Sequence, residues 1–214
     1  MSYLGSTNGV GSTSGVDTTG ADLLVAFVVY DGSITLTDSK GNTWTPTTQR
    51  GVGSTNIRGY YCLSPTVGSG HTFTSSQGYS RVIVAWASGV LAYESEAYGD
   101  DGTYTVNAVN AGSINPAGDN RLLIAGAAWG NNTNAFAVDS GYTLVQSQTG
   151  VYGVSYGGGL AYEQQTTDTT RNPQFSWGGD ATRAVAINLA FTTSGGGGGS
   201  SIAAISHFNR MMQS

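Results

Sequence analysis

The chain has 214 residues, a formal net charge of −5 and only 10% charged residues, against about 25% in an average globular protein. Lys40 is its only lysine, so the clustered basic side chains that would grip phosphates are missing, and no nucleic-acid partner is expected. The single cysteine, Cys62, excludes an intrachain disulfide and any zinc site built from several thiolates.

Residues 1–8 have neither a charged n-region nor an apolar core, so no signal peptide is expected. No apolar run approaches the roughly 20 residues that span a bilayer, and no membrane partner is expected either. Helical periodicity is scarce before residue 194. Instead, short runs rich in Val, Ile, Thr, Tyr and Trp alternate with Gly, Asn, Asp and Ser turns, which is strand chemistry. Leu23–Tyr30 is a continuous apolar run of strand length, which predicts a strand buried on both faces. Asp38–Trp44 follows as a turn in which Gly41 and Asn42 can take positive φ. Cys62, between Tyr61 and Leu63, reads as a small buried hydrophobe. His71 lies in a strand or hairpin, and Arg81–Trp86 is a second strand buried on both faces.

The same signals then return about one hundred residues later. Leu23-Leu24-Val25-Ala26 and Tyr30 match Leu122-Leu123-Ile124-Ala125 and Trp129, and Asp38-Ser39 matches Asp139-Ser140. Gly59-Tyr60-Tyr61 lies over Gly158-Gly159-Leu160, and His71-Thr72-Phe73-Thr74 over Pro173-Gln174-Phe175-Ser176. Arg81-Val82-Ile83-Val84 meets Arg183-Ala184-Val185-Ala186. The expected fold is therefore all-β: a duplicated antiparallel β-sandwich, jelly-roll-like, over residues 1–193, with repeats at about 5–95 and 104–193. Either two small sandwiches sit side by side, or the halves interleave into one. The short connection and the marginal core of each half favour one compact unit.

Residues 194–201 form a Gly-rich linker with almost no side chains to pack. Beyond it, Ile202, Ile205, Phe208 and Met211 or Met212 recur at the spacing of one helical stripe. A helix so short is not stable alone in water, so the 202–214 segment is expected to be held by a neighbouring subunit.

Signals for catalysis are sparse. A Ser–His–Asp arrangement would have to rest on His71, with no nucleophile-elbow motif beside it. Glu94 and Glu96 could face one side of a strand as an acid–base pair for a glycosidic bond, and Glu94–Asp100 faintly resembles the acidic motif of jelly-roll endoglucanases. The segment falls between the repeats, however, and reads better as an exposed acidic turn. Asp100 and Asp101 offer hard oxygen ligands without any calcium-loop pattern around them. No catalytic residue, metal site or cofactor is assigned. Exposed aromatics beside polar side chains can bind sugars, and Trp44, Trp177, Tyr152 and Tyr156 are the candidates for a carbohydrate-binding module. Trp129 and Tyr30, at matching repeat positions, read as core.

Two strings resemble repeats found in tailed-bacteriophage virion proteins: Asp17–Val25 followed by Asp38–Trp44, and Ile114–Ile124 in the second half. The resemblance covers about residues 5–193. It implies a non-enzymatic virion component: a capsid decoration (cement or head-fibre) protein or a tail-associated one, assembled in the host cytoplasm. Its partners would be the major capsid protein or other virion subunits, and it would be a homo-oligomer or present in many copies on a particle.

Overall fold

The computed structural model describes residues 1–100, 107–130, 136–139, 141–148, 156–178 and 183–194, and those residues form an all-β, antiparallel structure. The first large sheet contains β1 (Ser2–Val10), β8 (Arg81–Ser88), β2 (Leu23–Tyr30), β6 (Thr55–Leu63) and β4 (Thr45–Pro46), in that order, with β5 (Arg50–Val52) also paired to β6. The second contains β13 (Thr143–Gln148), β14 (Gly157–Gln165), β11 (Arg121–Trp129), β16 (Ala184–Thr193) and β9 (Val90–Asp100). Read from opposite edges, the two orders correspond strand for strand. Two small sheets complete the fold: β3 (Leu36–Asp38) with β7 (Phe73–Ser75), and β15 (Gln174–Trp177) between β10 (Ala108–Asn110) and β12 (Phe136–Val138).

Side-chain alternation explains the layering. Along β2, Leu23, Val25, Phe27 and Val29 enter a core shared with Leu122, Ile124, Val185, Ile187 and Leu189 of the second sheet. The intervening Leu24, Ala26, Val28 and Tyr30 pack instead with Leu36 and Phe73 of the first small sheet. β11 divides the same way: Leu122, Ile124 and Ala128 face the shared core, while Leu123, Ala125, Ala127 and Trp129 face Val109, Phe175 and Trp177. The result is four layers, small–large–large–small. Every residue of β2 is buried, as the unbroken apolar run predicts, and Arg81–Ala87 of β8 is buried likewise. Each large sheet draws its strands from one half of the chain, and the halves are joined by a common core rather than by exchanged strands.

The rims of that core are closed by aromatic pairs. Tyr3 of β1 stacks on Tyr162 of β14 at 4.4 Å, and Tyr93 of β9 stacks on Tyr61 of β6 at 4.7 Å. At the centre, Gly126 of β11 lies under the ring of Phe27, where a Cβ would come closer than 3.0 Å to three ring atoms. The glycines of β14 serve the same purpose, because Trp129 lies against Gly157 and Phe136 against Gly159.

The acidic segment departs from the expectation of an exposed turn. Val90–Asp100 is the edge strand β9, hydrogen-bonded to β16 with register shifts at Ala190/Phe191 and Thr192/Thr193. Ala190 pairs with Ser95 and Phe191 with Tyr93, so Glu94 is the extra residue of a bulge. It therefore leaves the alternation that would have aligned it with Glu96.

Candidate functional site

The richest polar cluster lies in the first half, where β3 ends. Asp38 begins a tight turn in which the Lys40 backbone N–H donates to its Oδ1 at 2.8 Å and the Trp44 indole N–H to its Oδ2 at 2.7 Å. Gly41 supplies the left-handed residue of the turn, with φ 73°. Asn42 contributes its side chain rather than a positive φ. Its amide donates to Thr66 O and to Asp38, and its Oδ1 accepts from the Thr66 N–H at 2.7 Å. β3 pairs with β7, Asp38 standing opposite Phe73, and this brings His71 to the carboxylate. His71 Nε2 is 3.1 Å from Asp38 Oδ1, a close polar contact off the line of a good hydrogen bond. On the other side of the ring, Nδ1 is 2.8 Å from Thr18 Oγ1, which also accepts the Gly68 N–H at 3.2 Å. The His71 ring stacks on Phe73 at 4.4 Å.

Thr18, His71 and Asp38 thus have the connectivity of a nucleophile, a base and an orienting carboxylate. Their burial gives them another role. Thr18 and His71 are wholly buried, and the Asp38 side chain is 0% exposed, so no substrate reaches them. The cluster is a sealed polar plug that ties the 17–20 segment, the β3 turn and β7 together. Burial alone would raise the Asp38 pKa, but the donors from Lys40, Trp44, Asn42 and His71 together outweigh it and hold the carboxyl below its ordinary value. No sequence signal joined Asp38 to His71, thirty-three residues away; only the β3–β7 ladder does.

The corresponding place in the second half holds a different pair. The bridge Val16–His71 and the bridge Ile114–Arg171 stand in the same relation to their neighbouring ladders. On that side of the small sheet, Arg171 takes the place that His71 takes in the first half. Arg171 grips Glu163 with Nε at 2.8 Å from Oε2 and Nη2 at 2.8 Å from Oε1, a forked geometry.

Glu94 and Glu96 are sent to different partners. Glu94 receives Arg121 and, at 2.5 Å, the Ala117 backbone N–H. Glu96 faces the first half, 3.9 Å from Arg50 Nη2 and 3.4 Å from the Thr48 N–H and the Tyr93 hydroxyl. The bulge at Glu94 is the physical reason that two carboxylates two residues apart diverge.

The carbohydrate candidates separate as well. Trp177 is 5% exposed and stacked against Trp129 at 5.6 Å, so its faces belong to the core. Trp44 is half-buried, held by Asp38 and set edge-on to Phe73. Tyr156 is half-buried against the shared core, and burial raises its pKa. Tyr152 lies outside the described residues, and so do the tail positions Ile202, Ile205, Phe208, Met211 and Met212. Tyr30 and Trp129, at matching positions, are both buried, and Cys62 is buried too. Among the described residues, no group of three or more His, Cys, Asp or Glu side chains gathers as for a metal ion.

No family model matches the chain, and no curated protein matches it. Among solved structures, it is similar to a chain described as an anti-sigma factor domain-containing protein, at 9% identity over 82% of this chain and 78% of that one. The TM-score of that pair is 0.22, too low to inform fold or function.

Proposed function

We propose that the chain is a non-enzymatic structural protein of a bacteriophage virion. In this reading it is a capsid decoration protein attached to the major capsid protein or another virion subunit partly through residues 202–214. The observation that supports it is the fate of the catalytically suggestive side chains. The Thr18–His71–Asp38 relay is sealed inside the fold, and Glu94 and Glu96 are turned to separate partners. What they contribute is a stiff scaffold of four layers. The apolar stripe beyond the glycines suits capture in a groove of a neighbouring subunit, and multivalent display on a shell would strengthen even weak individual contacts.

Cosedimentation with purified empty capsids tests the reading. The full chain is expected to pellet with the particles, and a chain ending at Ser194 is expected to stay in the supernatant while keeping its β-sheet circular dichroism. Equal binding by both forms would remove the tail from the attachment, and binding by neither would remove the decoration role. A glycan array run on the same sample addresses the carbohydrate alternative, which the burial of Trp177 already weakens.

A further inference from the structure

The matching strand orders make β1 and β9 corresponding edges of the two large sheets, yet their chemistry differs. β9 carries Glu94, Glu96 and Asp100, and two register shifts interrupt its ladder. Charged side chains and bulges are the devices that stop an edge strand from pairing with another chain. β1, Ser2-Tyr3-Leu4-Gly5-Ser6-Thr7-Asn8-Gly9-Val10, has no charged side chain and no proline. Its one irregularity, between Tyr3 and Gly5, leaves Gly5–Val10 in unbroken register with β8. Among the described residues β1 pairs with β8 alone. Beside it in the second layer runs β13, Thr143–Gln148, which is also uncharged. Asn8 and Ser6 of β1 are hydrogen-bonded to Gln146 of β13 at 2.5 and 2.8 Å, so the two edge strands form one neutral flank. On β1, Leu4 and Val10 are large apolar residues left 42% and 45% exposed.

We propose that this flank is where a second copy of the chain docks, β1 pairing antiparallel with β1 of the other copy about a two-fold axis perpendicular to the sheets. The inference stands apart from the virion reading and rests on three considerations. First, a two-fold contact brings each strand against its own copy, so the β1 pair in one layer and the β13 pair in the other are satisfied together. Secondly, two chains of net charge −5 repel each other, and this flank lets them approach without opposing any charged side chain of β1 or β13. Thirdly, the area suffices. The nine residues of β1 at about 3.4 Å each give an edge of about 30 Å and the six of β13 about 20 Å, each layer being about 10 Å deep. The pair would bury about 1,000 Å² in total, the threshold for a biological interface and the size of a weak, reversible one.

Sedimentation equilibrium of the full chain from about 1 to about 100 µM, the range suited to so small an interface, provides the test. A reversible monomer–dimer equilibrium is expected. Replacing Leu4 and Val10 together by lysine should weaken it at least about tenfold, which is about 1.4 kcal/mol. Both residues are exposed, so circular dichroism should not change. The same substitution at Leu91, 64% exposed on the guarded edge β9, should leave the equilibrium untouched. Phe208→Asp in the tail should leave it untouched as well. Hydrogen exchange supplies a second readout: the outward amides of β1 should lose protection on dilution. The proposal is overturned by a monomer at every concentration, or by a dimer indifferent to the lysines. A dimer abolished by Phe208→Asp would overturn it too, by making the tail the occupant.

Discussion

Phe27 and Gly126 offer the most direct test of whether the two halves share one core. Phe27 is fully buried in the first sheet, and its ring fills the space that a Cβ on Gly126 of the second sheet would occupy. Phe27→Ala removes a buried ring and should cost about 3–5 kcal/mol. Gly126→Ala is not a backbone problem, since Gly126 is outside the left-handed region. Its cost comes from overpacking, about 1–3 kcal/mol, partly offset by about 0.4–1 kcal/mol through the stiffer unfolded chain. In the double variant the new methyl group enters the cavity left by the ring, and the two penalties should not add. A favourable coupling of about 1–2 kcal/mol is expected, within the range seen for residues in contact. Urea unfolding of the four proteins, followed by circular dichroism, yields the cycle. Additivity within about 0.5 kcal/mol would refute the reasoning, because it would mean that the sheets are not in register at this point.

Four further outcomes follow from particular contacts. Asp38→Ala strips the acceptor from Trp44, Lys40 N–H and His71 and should cost about 3 kcal/mol at neutral pH, a buried partner having been removed. The folded Asp38 pKa is depressed, so the stability this carboxylate contributes is present above its unfolded value of 3.8 and is lost as pH falls below it. Urea midpoints between pH 3 and pH 6 should therefore decline less towards acid in Asp38→Asn than in the parent. Burial and the nearby Asp38 charge raise the Cys62 thiol, so a disulfide reagent should modify Cys62 far more slowly in the native protein than in urea; equal rates would contradict the burial. The stacked rims predict a coupling of about 0.5–1.5 kcal/mol between Tyr3→Ala and Tyr162→Ala, measurable by the same unfolding assay.

The strands were legible wherever burial on two faces wrote an unbroken apolar run. Leu23–Tyr30 and Arg81–Trp86 needed no tertiary information, and neither did the core roles of Tyr30, Trp129 and Cys62. The Asp38 turn was legible too, because Lys40, Asn42 and Trp44, which close it, lie within six residues. Trp177 and the acidic segment were not. A tryptophan beside a turn has the same local sequence whether it faces solvent or an inner layer, and here Trp129 and Phe136 decide the matter. Glu94 and Glu96 looked alike on paper, since period-2 alternation has no way of announcing a bulge.

The sequence by itself determined what depends on neighbours along the chain: all-β character, the two strands buried on both faces, the turn at Asp38, and the scarcity of charge. Tertiary structure alone decided what depends on the stacking of sheets. Alternation says that a strand has two buried faces without saying what covers each, so a pattern with both faces apolar fits interleaved and separate halves equally well. The answer came from long-range fit, with Phe27 seated on Gly126 and paired tyrosines closing each rim. The same stacking sealed His71 against Asp38, and it set the neutral edges of β1 and β13 side by side.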